Sequence, residues 1–375
     1  MSDEPEVTPI EPTADQVSQI VAQVSDEKVA SFEFRPGNYN DHCFLVLTSG
    51  RRLVIRFSRR GWEGGHWKIE KFSREGCAAN ILSRETGLST PQTLIVDGSR
   101  SIIDMVYAVQ CHVSGLVFRD VFDSATADEK ITLLHAFGDV ASQIHKIDFP
   151  DCDYDEDYAY ITCDPLLAKC PHEHVAMIKE RLAAERVEGS DGTGWALRRT
   201  SLHRAEFTSD TAEAFRVSID DGIKTLRDQD KAETTTARSL STLFERHWPQ
   251  VAEHLGRRNF CHGDYHFANI MVESCHESEL WKIAGVFDLD LFQATCPIED
   301  FGKAEEFDFP SIDIPGFRRH ILRGYANDLD QLDYSILTLG SWLGSSSRID
   351  RASDALQDTR HVDESTLVEI MFGDN

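Results

Sequence analysis

Two periodicities divide this chain. Val17, Ile20, Val21 and Val24 recur at helical spacing within residues 15–24 and predict a short helix. From Val29 the texture changes to strands over Val29–Arg35, Cys43–Thr48 and Leu53–Phe57. Their connections, Pro36-Gly37-Asn38-Tyr39-Asn40 and Thr48-Ser49-Gly50-Arg51, are too short for anything but consecutive antiparallel strands. Helical spacing returns between about Ile69 and Arg84, with Phe72, Glu75, Ala79 and Leu82 on one face. An acid on an apolar face is costly unless paired, and Arg56 inside the third strand is the natural partner. A strand at Thr93–Val96 and a longer one at Ser101–Val109 follow.

Beyond Gly115 the pattern is largely helical. Leu133, Leu134, Phe137, Val140, Ala141 and Ile144 form a wide apolar stripe that reads as a core helix, with His145 closing it as a cap on the negative end. Phe215, Ile219, Ile223 and Leu226 mark another helix, and Leu240, Leu243, Phe244 and Val251 one more, with Thr234-Thr235-Thr236 as their connection. Helices around Phe317–Leu329 and Tyr334–Leu343 complete the tail.

Composition narrows the class. At 375 residues the chain can bury a large core, and no apolar run approaches the roughly 18–20 residues that span a bilayer. The acidic start Met1-Ser2-Asp3-Glu4 lacks a signal-peptide pattern. Nine cysteines without C-x-x-C spacing suit reduced thiols, so a cytoplasmic protein is expected. Cys163, Cys170, His172 and His174 cluster, but at a spacing that fits no common zinc site. A net charge of −26 argues against nucleic-acid or anionic-membrane partners and is compatible with a cationic small molecule or with solubility alone.

Chemistry concentrates in one stretch. Phe260-Cys261-His262-Gly263-Asp264-Tyr265-His266-Phe267-Ala268-Asn269 leads into strand-like Ile270-Met271-Val272, and Trp281–Phe287 then ends on Asp288. An acid in a loop, an amide five positions on and a carboxylate after the next strand are what phosphoryl transfer from a metal-bound nucleotide needs: a base for the attacking hydroxyl and oxygen ligands for magnesium. One rival is a metal-dependent hydrolase, because His262, Asp264 and His266 alternate as H-x-D-x-H and would share a face of an extended segment. That reading leaves Asn269, Asp288 and the early hairpins without a role. A catalytically silent nucleotide-binding scaffold is a second alternative.

The stretch resembles the catalytic core of the aminoglycoside phosphotransferase family, small-molecule kinases of the protein-kinase-like fold. The resemblance implies an α+β chain with an antiparallel N-lobe sheet plus one helix and a mainly helical C-lobe. It divides the chain into an acidic segment with a short helix (1–28), a nucleotide-binding N-lobe (29–112) and a catalytic, acceptor-binding C-lobe (113–375). Asp264 is then the catalytic base, Asn269 and Asp288 ligands of Mg2+, and His262 a support for the loop. Arg56, where the family usually carries Lys, becomes a phosphate clamp held by Glu75. Gly37 and Asn38 belong to the hairpin over the phosphates, and Gln110 and His112 to the hinge that reads the base. Asp300 braces the catalytic loop. Leu289-Asp290-Leu291-Phe292 depart from the Trp and Glu that many relatives carry there and leave an extra acid, Asp290, whose role is open between metal or substrate binding at the phosphate site and the surface. The implied reaction moves the γ-phosphoryl group of ATP or GTP to a hydroxyl of a small molecule. No D-F-G or A-P-E follows Asp288, so the peptide-binding segment of protein kinases is missing from the pattern.

Overall fold

The structure is a computed structural model that describes residues 10–37, 40–58, 65–147, 209–228, 234–257, 259–275, 280–325, 329–343, 349–357 and 359–372, together with position 176. The chain separates into two compact units. One contains Met1–Gly115 and Ala284–Phe292; the other contains Leu116–Asp151, Arg198–Ile283 and Gln293–Asn375.

The first unit is built on a five-stranded sheet. Strands β1 (Val29–Arg35), β2 (Asn40–Leu47) and β3 (Arg52–Ser58) run antiparallel in sequence, as their short turns require. With β4 (Thr93–Asp97) and β5 (Tyr107–Cys111) the order is β1-β2-β3-β5-β4. Alternation puts Cys43, Leu45, Leu47, Leu53, Ile55, Phe57, Tyr107 and Val109 on one buried face. Helix α1 (Ala14–Val21) covers that face with Val17, Ile20 and Val21. Its start is fixed by a capping box in which Thr13 and Gln16 satisfy each other's backbone donors. Helix α2 (Gly65–Thr86) follows β3. The strand expected from Ser101 is shorter than the apolar run suggested, because residues 101–105 are bends whose Ile103 and Met105 plug the α1 core instead of pairing.

The second unit begins with a two-residue strand, β6 (Leu116–Val117), α3 (Phe118–Ser124) and α4 (Ala127–His145). All six apolar residues of the predicted α4 stripe are buried. Helices α5 (Ser209–Asp228) and α6 (Thr234–Gly256) come next. The three threonines expected as a connection are the first turn of α6, where the Thr236 hydroxyl is anchored on the Thr359 carbonyl. A tertiary hydrogen bond has overridden weak helix propensity there. Strands β7 (Asn259–Cys261), β8 (Ile270–Cys275), β9 (Leu280–Val286) and β10 (Gln293–Thr295) flank the catalytic stretch. Helices α7 (Ile298–Phe307), α8 (Phe317–Gly324), α9 (Gln331–Leu343), α10 (Ile349–Ala355) and α11 (Glu364–Phe372) complete the unit.

Two aromatic side chains of the catalytic stretch, Tyr265 and Phe267, are buried among Phe118, Phe122 and Phe137, with ring centroids as close as 4.4 Å. Their burial anchors the polar loop between them to α3 and α4. Cys77 is disulfide-bonded, contrary to the expectation of reduced thiols throughout, whereas Cys43, Cys111, Cys261 and Cys296 are free. Sequence spacing speaks only to local pairs and could not reveal one made by the fold. The Cys163–His174 cluster lies outside the described residues. No helix among the described residues is long and apolar enough to cross a membrane.

Candidate active site

In the first unit the polar residues gather where α2 meets β3. Arg56 donates through Nη1 to the carboxylate of Glu75, which is fully buried. Burial pushes the Glu75 carboxyl up in pKa, against the pull of Arg56 and a hydrogen bond from Gln110. Gln110 also reaches Thr93 Oγ1 at 3.1 Å. Its side chain is therefore a buried brace for Glu75. Nη2 of Arg56 lies 3.4 Å from Asp288 Oδ1, so one guanidinium fork addresses both carboxylates.

Asp288 adopts a left-handed backbone, φ 62°, which is rare for a residue with a side chain and found where surrounding structure enforces it. Its carboxylate keeps 39% of its exposure. Two residues on, Asp290 is buried and paired with Lys71 of α2, so it does not face the surface. Arg74 lies over the ring of Phe292, with its carbon 5.7 Å from the centroid. Together these contacts dock α2 against the turn that carries Asp288.

At the hairpin between β1 and β2, the Gly37 amide donates to Asp41 Oδ1 at 3.2 Å; Asn38 lies outside the described residues. His42 faces Arg56 across the β2–β3 pair, and burial followed by that positive charge lowers its pKa to about 4. His112 sits edge-on to Phe44 at 6.3 Å, with its pKa lowered by burial and by Arg52.

In the second unit the loop 262–269 hangs from two carboxylates. Asp300, on the first turn of α7 and fully buried, accepts from the His262 amide at 2.7 Å and the Gly263 amide at 2.7 Å. His145 holds the same carboxylate through Nε2 at 3.0 Å, and its Nδ1 meets the Tyr325 hydroxyl at 2.9 Å. Asp308 accepts from the Phe267 amide at 2.8 Å and from Arg119 at 2.6 Å. Gly263 turns the chain with φ 80°, a conformation open to glycine and strained for other residues. His262 is buried and accepts the Asp264 amide at 3.3 Å on Nδ1.

Asp264 is thereby presented with 22% of its side chain exposed. Its Oδ2 lies 3.3 Å from Asn269 Nδ2 and 3.5 Å from His266 Nε2; its Oδ1 faces Lys303 Nζ at 3.8 Å. Burial would raise its pKa, but His266, then Lys303 and His262, outweigh that and lower it, keeping the carboxylate ionised at neutral pH. Asn269 spends its Nδ2 on the Asp264 carbonyl at 2.9 Å, which leaves its amide oxygen turned away as a hard oxygen donor. That oxygen and the accessible Asp288 carboxylate are the donor types magnesium takes.

The H-x-D-x-H face does not form. His262 points into the core toward the Asp264 backbone while His266 caps the turn at Phe267–Asn269 through the Ala268 amide. Among the described residues the ligand-type side chains that converge are His145, Cys261 and Asp300. The ring nitrogens of His145 and both oxygens of Asp300 already carry hydrogen bonds, so this is a structural network and not a vacant cage.

Sequence reasoning missed His145, Lys71 and Lys303. His145 is more than a helix cap: a titratable residue at the end of an apolar stripe demands a buried partner, and that partner is Asp300. Lys303 stands three positions after Asp300 on α7, a spacing that shares a helix face and could have flagged it.

An antiparallel sheet with one docked helix, a helical remainder and an acid-bearing loop between short strands define the α+β protein-kinase-like fold. The chain belongs to the phosphotransferase enzyme family, whose model matches residues 32–334. No curated protein matches it in sequence. Among solved structures it is similar to a macrolide 2′-phosphotransferase from Brachybacterium faecium, at 14% identity and TM-score 0.47 over 92% of this chain and 98% of that one. It is also similar to an aminoglycoside phosphotransferase from Alicyclobacillus acidocaldarius, at 12% identity and TM-score 0.49 over 98% and 92%. A third, a spectinomycin phosphotransferase in complex with ADP and spectinomycin, shows 13% identity and TM-score 0.42 over 97% and 98%.

Proposed function

We propose that this protein transfers the γ-phosphoryl group of ATP or GTP to a hydroxyl of a small molecule. The observation that carries this reading is the partly exposed Asp264 carboxylate, presented on a loop whose backbone donors are tied to buried Asp300. An acceptor hydroxyl donating to that carboxylate loses its proton to it as the oxygen attacks phosphorus. Asn269 and Asp288 are assigned as the oxygen ligands of Mg2+, which when bound draws charge from the phosphate oxygens. Arg56, oriented by Glu75, is assigned to the donor phosphates. Gly37, Asn38 and His112 are assigned to nucleotide binding, with Gln110 acting through Glu75. A cytoplasmic location belongs to the same reading. The strongly acidic chain suits a cationic acceptor, although the Asp264 carboxylate itself is flanked by Asn269, His266 and Lys303.

The test is incubation with ATP or GTP and magnesium against a panel of hydroxylated metabolites and antibiotics, read as the mass gain of one phosphoryl group. Asp264→Asn should lower turnover by about 10²–10⁴-fold while nucleotide binding persists. Equal turnover by this variant removes Asp264 as the base. Nucleotide binding without turnover in the wild type instead favours a silent scaffold.

A further inference from the structure

Lys303 occupies an unusual position for a helix lysine. Its ammonium group is directed at Asp264 Oδ1 from 3.8 Å, beyond hydrogen-bond length. Among the described residues Asp264 is its one charged partner, and the side chain is three-quarters buried. Its Nζ lies 5.5 Å from the centroid of the Phe307 ring, and the same ring sits 5.5 Å from His266. Phe307 itself is 52% exposed, an uncommon state for a phenylalanine beside a buried polar network.

The two oxygens of Asp264 are used differently. Oδ2 is engaged by Asn269 and His266. Oδ1 accepts no protein hydrogen bond among the described residues and opens toward Lys303. A hydroxyl that donates to Oδ1 at hydrogen-bond distance therefore comes within reach of a cation with three donors. A lysine that served only as a surface ion pair would close onto the carboxylate or extend into water. This one lies over the Phe307 ring as well, within cation–π range, while it stays 3.8 Å from Asp264 Oδ1.

We propose that Lys303 is a further catalytic residue of this site: its ammonium group donates to an oxygen of the phosphoryl group as that group passes to the acceptor held on Asp264 Oδ1. The assignment rests on the phosphotransferase reading above. In the step, the acceptor oxygen forms a bond to the γ-phosphorus while the bond from that phosphorus to the β,γ-bridging oxygen breaks. The hydroxyl proton goes to Asp264, the electron pair of the broken bond leaves with the nucleoside diphosphate, and Lys303 keeps its proton throughout. A fixed cation aimed at the place where charge collects costs no reorganisation during the step.

The test compares wild type, Lys303→Met and Lys303→Arg in two measurements. The first is turnover with MgATP or MgGTP, using an acceptor from the panel, or water where none is found. The second is calorimetric binding of MgADP with and without aluminium fluoride, a mimic of the phosphoryl group in flight. Lys303→Met should bind MgADP within about twofold of wild type. Its turnover number should fall roughly 10²-fold with the nucleotide KM unchanged, and it should lose the extra affinity that aluminium fluoride confers. Lys303→Arg should recover most of both losses. Unchanged turnover in Lys303→Met overturns the assignment, and so does a loss confined to plain MgADP binding. Failure of the wild type to bind MgADP at all removes the phosphotransferase reading itself, a result distinct from either.

Discussion

The strongest structural demand on this site falls on Asp300. Its carboxylate is fully buried and accepts three hydrogen bonds, two from consecutive backbone amides at 2.7 Å and one from His145 at 3.0 Å. Asp300→Ala leaves all three donors in a dry interior without acceptors. An unsatisfied buried donor costs about 1–3 kcal/mol, so partial relaxation puts the loss at roughly 3–6 kcal/mol. That is a large fraction of the ~5–15 kcal/mol by which a domain is stable. Asp300→Asn should cost less, because one oxygen survives, but its amide nitrogen must face a donor and one bond is lost at about 1–3 kcal/mol. Urea denaturation at pH 7.5, together with hydrogen exchange of the Gly263 amide, measures both quantities. Exchange at Gly263 should accelerate in both variants, because that proton is held by Asp300 Oδ1. A loss below about 1 kcal/mol in Asp300→Ala, with Gly263 exchange unchanged, would refute the view that Asp300 suspends the loop.

Other outcomes follow from the same physics. Arg56→Lys replaces a fork with a point charge that cannot serve Glu75 and Asp288 together, so turnover should fall about 10-fold or more in steady-state assays while the protein stays folded. Glu75→Leu removes the buried carboxylate to which Arg56 Nη1 donates, and melting should show a destabilisation of roughly 3–5 kcal/mol. Gly324→Ala puts a Cβ 2.0 Å from the His135 carbonyl where α8 crosses α4; the helices must part, at about 1–3 kcal/mol by chemical denaturation. His42 has a folded pKa near 4 against 6.5 unfolded, so its contribution to stability is complete above pH 6.5 and is lost as pH falls from 6.5 toward 4. Relative to His42→Phe, wild type should lose roughly 2 kcal/mol more between pH 7.5 and pH 5, read from paired denaturation curves.

What the amino-acid sequence determined by itself was local. Period-two alternation and short turns specified β1, β2 and β3, and the α4 stripe specified a buried helix face, because both signals depend on neighbours within a few residues. The order of acid, amide and carboxylate in Asp264, Asn269 and Asp288 pointed to the chemistry, since loops and strand ends hold function-bearing residues at characteristic spacings. The Arg56–Glu75 pair could be inferred as well, from the cost of burying an acid unpaired.

Only the tertiary structure decided the partners of residues far apart in the chain. It set Gln110 behind Glu75, Lys71 against Asp290, and His145 against Asp300 across 155 positions. It turned His262 inward and so dismantled the H-x-D-x-H face that the sequence left open. It also brought Lys303 to the unengaged oxygen of Asp264. Periodicity tells which residues must be buried or paired, but the choice of partner depends on packing between elements, which short-range pattern does not encode.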